Sequence, residues 1–236
     1  MSRPVIYSIL LVISCVIHHS AFAYEKGDKI LRIGIAHVQP NDESTALALN
    51  GTELSALPGL NLPRTEVQVE DNTQLGITAT YMLTNHWGLE LLASSPFQHE
   101  IRAEALGVKA GETRHLPPTL NIQYYPMSAD SKLQPFAGLG LNYTAFFDEE
   151  VDNELNAVLA GLGATGNASL DLDDSWGLAA ELGVDYGINE QWLFNATLWY
   201  IDIETTAYIN APGLGTLNSD VSIDPWVFML SAGYMF

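Results

Sequence analysis

The stretch Ser175-Trp176-Gly177-Leu178-Ala179-Ala180-Glu181-Leu182-Gly183-Val184-Asp185-Tyr186 decides how this chain is read. Its even positions are Trp176, Leu178, Ala180, Leu182, Val184 and Tyr186, while its odd positions are small or polar. Period two marks a strand whose two faces meet different surroundings. The apolar row also begins and ends on an aromatic ring, which the core of a soluble sandwich does not require. A strand crossing a bilayer does require it, because aromatic girdles sit at the two membrane–water interfaces.

The pattern recurs seven more times. Apolar rows run through Leu31, Ile33, Ile35, through Leu75, Ile77, Ala79, Tyr81, and through Trp87, Leu89, Leu91, Ala93. Further rows are Leu120, Ile122, Tyr124 and Ala137, Leu139, Leu141, Tyr143. Trp192 to Tyr200 and Trp226 to the terminal Phe236 supply the last two. The links alternate in length: Thr84 to His86, Pro126 to Lys132 and Asn189 to Gln191 are short. Pro40 to Glu66, Glu104 to Glu112, Asp148 to Asp174 and Tyr208 to Asp220 are long. An all-β fold is expected: an eight-stranded antiparallel transmembrane β-barrel with short periplasmic turns and long extracellular loops. Closure satisfies every ladder hydrogen bond in lipid, which an open sheet cannot do.

Composition agrees. Of 236 residues only 16% are charged, with 28 acidic against 9 basic side chains and a net charge of −19. A soluble domain carries about a quarter charged residues of mixed sign, and a chain this negative is repelled by nucleic acid. Arg3, the apolar run Val5 to Ile17 and the small-x-small site Ala21-Phe22-Ala23 read as a secretory signal peptide. Residues 1–23 are thus expected to be cleaved, leaving 24–236 as one barrel domain in the outer membrane of a Gram-negative bacterium. The single cysteine, Cys15, lies in that leader; reading Val12-Ile13-Ser14-Cys15 as a lipobox is the less ordinary alternative.

The runs Asn72-Thr73-Gln74-Leu75-Gly76, His115-Leu116-Pro117-Pro118-Thr119-Leu120, Asp174-Ser175-Trp176-Gly177 and Asp224-Pro225-Trp226-Val227-Phe228 resemble those of the OmpW family of Gram-negative outer membrane proteins. The likeness covers nearly all of the mature chain, from about Leu31 to Phe236. It implies an eight-stranded barrel whose narrow hydrophobic channel passes small apolar molecules. The first long link, Asn41 to Arg64, and the third, Asp148 to Asn167, depart most from the family pattern.

The inward register carries Gln74, Thr78, Thr80, Asn121, Gln123 and Asn195, as a hydrated lumen requires. It also carries Leu92, Trp199, Ile201, Ile203, Val227 and Met229, which do not suit a wide aqueous pore. An eight-stranded interior holds side chains or one small ligand. Together with the resemblance, this makes Leu92 and Trp199 the expected constriction of an apolar pathway; on the residues alone, simple filling of the barrel is equally open. Arg32, Glu90, Glu181 and Asp185 also point inward and are expected to pair as a structural network blocking the periplasmic end. Pro96, Pro117 and Pro118 each remove a ladder donor, so they mark either strand ends or a lateral opening near the outer rim.

The third long link carries a run of acids with no base from Asp148 through Asp174, around a helical spacing at Val151, Leu155, Val158, Leu159 and Leu162. Its acids suit lipopolysaccharide bridged by divalent cations. No spacing matches an EF-hand, and neither a specific metal site nor a cofactor is expected. Gly161-Leu162-Gly163-Ala164-Thr165-Gly166 fits a dinucleotide pattern but opens no βαβ unit. Partners expected are outer membrane lipid and lipopolysaccharide, small hydrophobic solutes and, through the C-terminal Phe236, the barrel assembly machinery; nucleic acid is not. An enzyme is not expected, since His37, His86, His99 and His115 are scattered and no G-x-S-x-G elbow accompanies them. A lipid-modifying barrel enzyme, with His99 and His115 near Ser94 or Ser95, and a purely structural or adhesive barrel stay as alternatives.

Overall fold

A computed structural model describes residues 23–57 and 66–236. The expected leader, apart from Ala23, and part of the first long link lie outside the described residues. Eight strands build the wall: β1 Lys29–Gln39, β2 Asn72–Met82, β3 Trp87–Ser94, β4 Thr119–Tyr124, β5 Leu133–Val151, β6 Ser175–Gly187, β7 Trp192–Ile201 and β8 Trp226–Met235. Each pairs antiparallel with the next. The circle closes where β1 meets β8, in register from Ile30 opposite Met235 to Gln39 opposite Trp226.

The outer wall is apolar and uncovered by protein. Leu139, Leu230 and Trp176 are 69%, 71% and 75% exposed, a burial pattern that only lipid rationalises. Two aromatic girdles bound it. Trp87 packs on Tyr124 and Trp192 on Tyr234 beside the short turns. Tyr143 packs on Trp176 and Tyr200 on Trp226 at the other end. Eight to ten residues separate the girdles along β6 to β8. At strand rise and barrel tilt that is a band about 20–25 Å tall, the thickness an outer-membrane barrel presents to lipid.

Beyond the outer girdle the links are sheet, not loose loop. Phe97–Ala103 and Val108–Leu116 form a hairpin that continues β3 and β4, and the second strand pairs with the outer half of β5. Glu104 to Glu112 is therefore mostly strand, turning at Gly107 with a positive φ of 66°. Polarity here is reversed: Phe97, His99, Ile101 and Ala103 face inward while Gln98, Glu100 and Arg102 alternate on the other face. Without a lipid-facing apolar row, the pattern that reveals the wall strands is silent. A second outer sheet joins Ser169–Leu172, Glu204–Ala211 and Gly215–Ser222 to short strands of the first link. Helix α1 covers Asn153–Gly161, capped by the Asp152 carboxylate accepting from the Glu154 amide, and buries Leu155 and Leu159.

Closure leaves little room along β1. A Cβ on Gly34 would collide with the Leu230 carbonyl oxygen and come within 2.6 Å of the Ser231 Cα on β8. Gly34→Ala should therefore destabilise the barrel by about 1–3 kcal/mol, seen as a lower urea midpoint in lipid vesicles. An unchanged midpoint would mean that the closing seam yields freely.

Candidate functional site

The interior is layered. An apolar cluster above contains Leu92, Trp199, Ile201, Ile203, Val227 and Met229 together with Phe97, Ile101 and Phe146 of the outer sheets. A second cluster of Tyr24, Ile30, Met82, Tyr125, Phe136 and Leu193 closes the periplasmic end. Between them lies a polar, charged layer. All six channel residues expected from the sequence are buried in the upper cluster, with Leu92 5% and Trp199 1% exposed.

Arg32 of β1 organises the charged layer. Its Nε and Nη2 donate to Asp185 of β6 at 3.0 and 2.5 Å, a bidentate pair. Nη1 donates to Thr80 at 2.7 Å and to Glu90 of β3 at 3.3 Å, and Nη2 also reaches the Tyr125 hydroxyl at 3.2 Å. Asp185 accepts further bonds from the Tyr24 hydroxyl at 2.5 Å and from Asn195 at 2.8 Å. The guanidinium lies 5.6 Å from the Phe136 ring. One cation thus ties β1, β2, β3 and β6 together across the lumen.

Glu181 stands at the edge of the expected network: it faces inward beside Glu90 and Gln123, while the ion pairs of Arg32 go to Glu90 and Asp185. Thr78 Oγ1, both amide atoms of Asn121 and Trp199 Nε1 are buried without a protein partner. Register places Glu90 opposite Asn121, and Glu181 opposite Trp199. Polar side chains therefore gather at and just beneath the Leu92 and Trp199 level. Tyr24, Thr80, Tyr125 and Asn195 belong to the ion-pair layer, although only Thr80 and Asn195 carried an inward-register signal in the sequence. Tyr24 precedes β1 and Tyr125 sits in a turn, where strand alternation assigns no face.

The prolines stand at an interruption of the wall. The β3–β4 ladder ends at Leu92 opposite Thr119, and the outer hairpin begins at Phe97 opposite His115. Between these points, residues 93–96 face 116–118 without ladder bonds, and Pro96, Pro117 and Pro118 occupy the gap. Each side is held by its other neighbour: Ser95 N–H donates to the Leu75 carbonyl at 3.0 Å, and Tyr143 N–H to the Pro118 carbonyl at 3.1 Å.

Above that gap two histidines stack. The His99 and His115 rings are 4.9 Å apart and 15° from parallel, with Phe97 stacked on His115 at 5.6 Å. Both line a narrow cavity of about 30 Å³ with Val67, Ile101, Phe146 and Ile223. Ser94 and Ser95 are not among its lining residues. No group of three or more His, Cys, Asp or Glu among the described residues is placed to hold a metal.

Comparison with known proteins agrees with this architecture. The model of the OmpW family matches residues 25–236. The chain belongs to the OmpW family. It is 44% identical to outer membrane protein W of Vibrio cholerae over 96% of this chain and 97% of that one. The crystal structure of OprG from Pseudomonas aeruginosa superposes with a TM-score of 0.78 at 43% identity, over 91% of this chain and 98% of that one. A more distant relative, at 22% identity over 81% of this chain and 85% of that one, is the dibenzothiophene metabolism operon protein PahQ of Pseudomonas aeruginosa. The location of this OmpW-family barrel is the outer membrane, with lipid and lipopolysaccharide around it.

Two outcomes follow from this geometry. Removing Arg32 strands Asp185 and Glu90 as buried, uncompensated charges, so Arg32→Ala should cost about 3–5 kcal/mol. Its measure is the urea midpoint in vesicles, and a loss below 1 kcal/mol would show the layer to be dispensable. His115 behaves differently. Burial, and then the neighbouring His99, hold its pKa down at about 3. Unfolded, an imidazole titrates near about 6.5, so between the two values the unfolded state binds more protons and stability rises with pH. Acidification from pH 7 to pH 4 should weaken the outer hairpin by roughly 1.4 kcal/mol per pH unit below about 6.5. Hydrogen exchange should show lost protection in residues 97–116 but not in β1; equal protection at both pH values contradicts this.

Proposed function

We propose that this barrel takes up small apolar molecules from outside and releases them sideways into the outer membrane. One observation carries the reading: a buried apolar layer lies outward of a sealed, ion-paired layer. A solute that prefers hydrocarbon is stabilised among Trp199, Ile201, Ile203, Val227 and Met229. It descends as far as Leu92 and Trp199, the proposed constriction that narrows the lumen just below the gap in the wall. Crossing the Arg32–Asp185–Glu90 layer would strip that layer of its pairing, at a cost no apolar solute repays. The unladdered stretch at Pro96, Pro117 and Pro118 is the way out, where strand separation breaks no backbone hydrogen bonds between β3 and β4.

The relation to a protein of a dibenzothiophene metabolism operon supports an apolar cargo, dibenzothiophene being a fused aromatic. In this reading the chain performs no catalysis, residues 1–23 direct export, and Phe236 is recognised by the assembly machinery. The acids from Asp148 to Asp174 face lipopolysaccharide through divalent cations.

The test compares uptake of a small apolar and a small polar probe by cells with and without the protein. Faster uptake of the apolar probe alone is expected. Leu92→Ala and Trp199→Ala should change that flux severalfold. A disulfide between S94C and P117C should reduce it until reductant is added. No difference from cells lacking the protein would leave a structural or adhesive barrel, and lipid hydrolysis by the purified protein would make it an enzyme.

A further inference from the structure

The stacked histidines of the outer vestibule stand apart from the charged layer and have no part in closing the barrel. His99 is 2% exposed. Its Nδ1 lies 2.5 Å from the backbone carbonyl oxygen of Glu70. A carbonyl offers only lone pairs, so Nδ1 carries the proton and donates it. The other nitrogen of the neutral ring, Nε2, then presents a lone pair. That atom is buried and has no hydrogen-bond partner. The ring cannot easily turn away, because it is stacked on His115 and tethered at Nδ1.

The surroundings decide what such an acceptor suits. The cavity that His99 lines has apolar walls of Val67, Ile101, Phe146, Leu172 and Ile223, and no charged side chain is part of its lining. Its two hydroxyls are already committed: Thr113 Oγ1 donates to the Arg114 carbonyl at 3.3 Å and Thr205 Oγ1 to the Asp173 carbonyl at 2.7 Å. These groups therefore turn acceptors towards the space between them, and the neutral ring of His115 adds one N–H and one lone pair. Without a counter-ion, a cationic or anionic guest loses its hydration uncompensated.

We propose that His99 Nε2 is a specificity-determining acceptor that makes the vestibule prefer apolar molecules carrying one neutral hydrogen-bond donor, such as an alcohol or phenol, over plain hydrocarbons. The inference rests on the uptake reading above and names its substrate class. Burial lowers the His99 pKa from its ordinary value, which keeps the lone pair available at neutral pH. A site that hydrogen-bonds a hydroxyl discriminates against the analogue lacking it, because the buried acceptor is then left unmatched.

The experiment uses a matched pair, 1-octanol and n-octane. In cells carrying the full-length protein, octanol should enter roughly three- to tenfold faster than octane once rates in cells lacking it are subtracted. His99→Phe keeps an aromatic of similar size without the acceptor and should bring the ratio to about one. His99→Gln, which retains an acceptor oxygen, should keep part of the preference. Heat-modifiable migration on gels confirms that each variant has closed its barrel. Nitrogen-15 NMR of the purified protein in lipid nanodiscs reads the site directly: octanol should shift the His99 Nε2 resonance and octane should not. An unshifted Nε2, or a preference that survives in His99→Phe, overturns the proposal. If Nε2 shifts but neither compound enters faster than in cells lacking the protein, uptake is wrong and the acceptor assignment stands. If both compounds enter at equal rates and Nε2 stays unshifted, the assignment alone falls.

Discussion

Backbone hydrogen bonding inside hydrocarbon governs everything else in this molecule. A peptide group in the bilayer core has no water to fall back on, so each wall strand needs a partner on both sides. Pairing of β1 with β8 provides the last of these partnerships, and it forces a narrow circle of eight. A circle of that size has an interior of side-chain dimensions. The consequences run inward: small residues such as Gly34 where strands approach closely, and a lumen that must be filled by side chains rather than by a broad column of water.

How it is filled separates this barrel from an open pore. Arg32 replaces its hydration with contacts from Asp185, Glu90, Thr80 and Tyr125, each presented by a different element of the wall or its turns. The Tyr24 and Tyr125 rings pack edge-to-face beneath, 5.1 Å apart. The layer is both a floor beneath the buried apolar cluster and a cross-brace for the barrel. The wall above it relaxes at one place only among the described β3–β4 contacts, the stretch containing Pro96, Pro117 and Pro118. The ion-paired floor and the unladdered stretch lie on opposite sides of the Leu92 level.

Much of this was legible in the chain because lipid imposes a strict period of two on each wall strand. Trp176 to Tyr186 and Trp226 to Phe236 declare their outward faces without ambiguity, and the inward placement of Arg32, Glu90, Glu181 and Asp185 follows from parity alone. The outer hairpin escaped because it leaves the membrane and reverses its polarity, burying Phe97, His99 and Ile101 while showing charge to water. Tyr24 and Tyr125 escaped because they sit outside regular strand. Parity also turned Glu181 inward, but it could not say that Arg32 would take Glu90 and Asp185 as its ion-pair partners and leave Glu181 beside Glu90.

The amino-acid sequence by itself determined the class of fold, the number of wall strands, the face each residue takes within the lipid-crossing strands and the acidic character of the outer links. Those are consequences of local alternation and of burial preferences that each residue carries wherever it sits. The tertiary structure decided which inward residues touch: that Arg32 grips Asp185 across 153 positions of chain, that Glu181 lies beside Glu90 and not in an ion pair with Arg32, and that His99 and His115 stack above a gap in the wall. Such contacts depend on strand stagger and closure around the barrel, distances that no local pattern encodes.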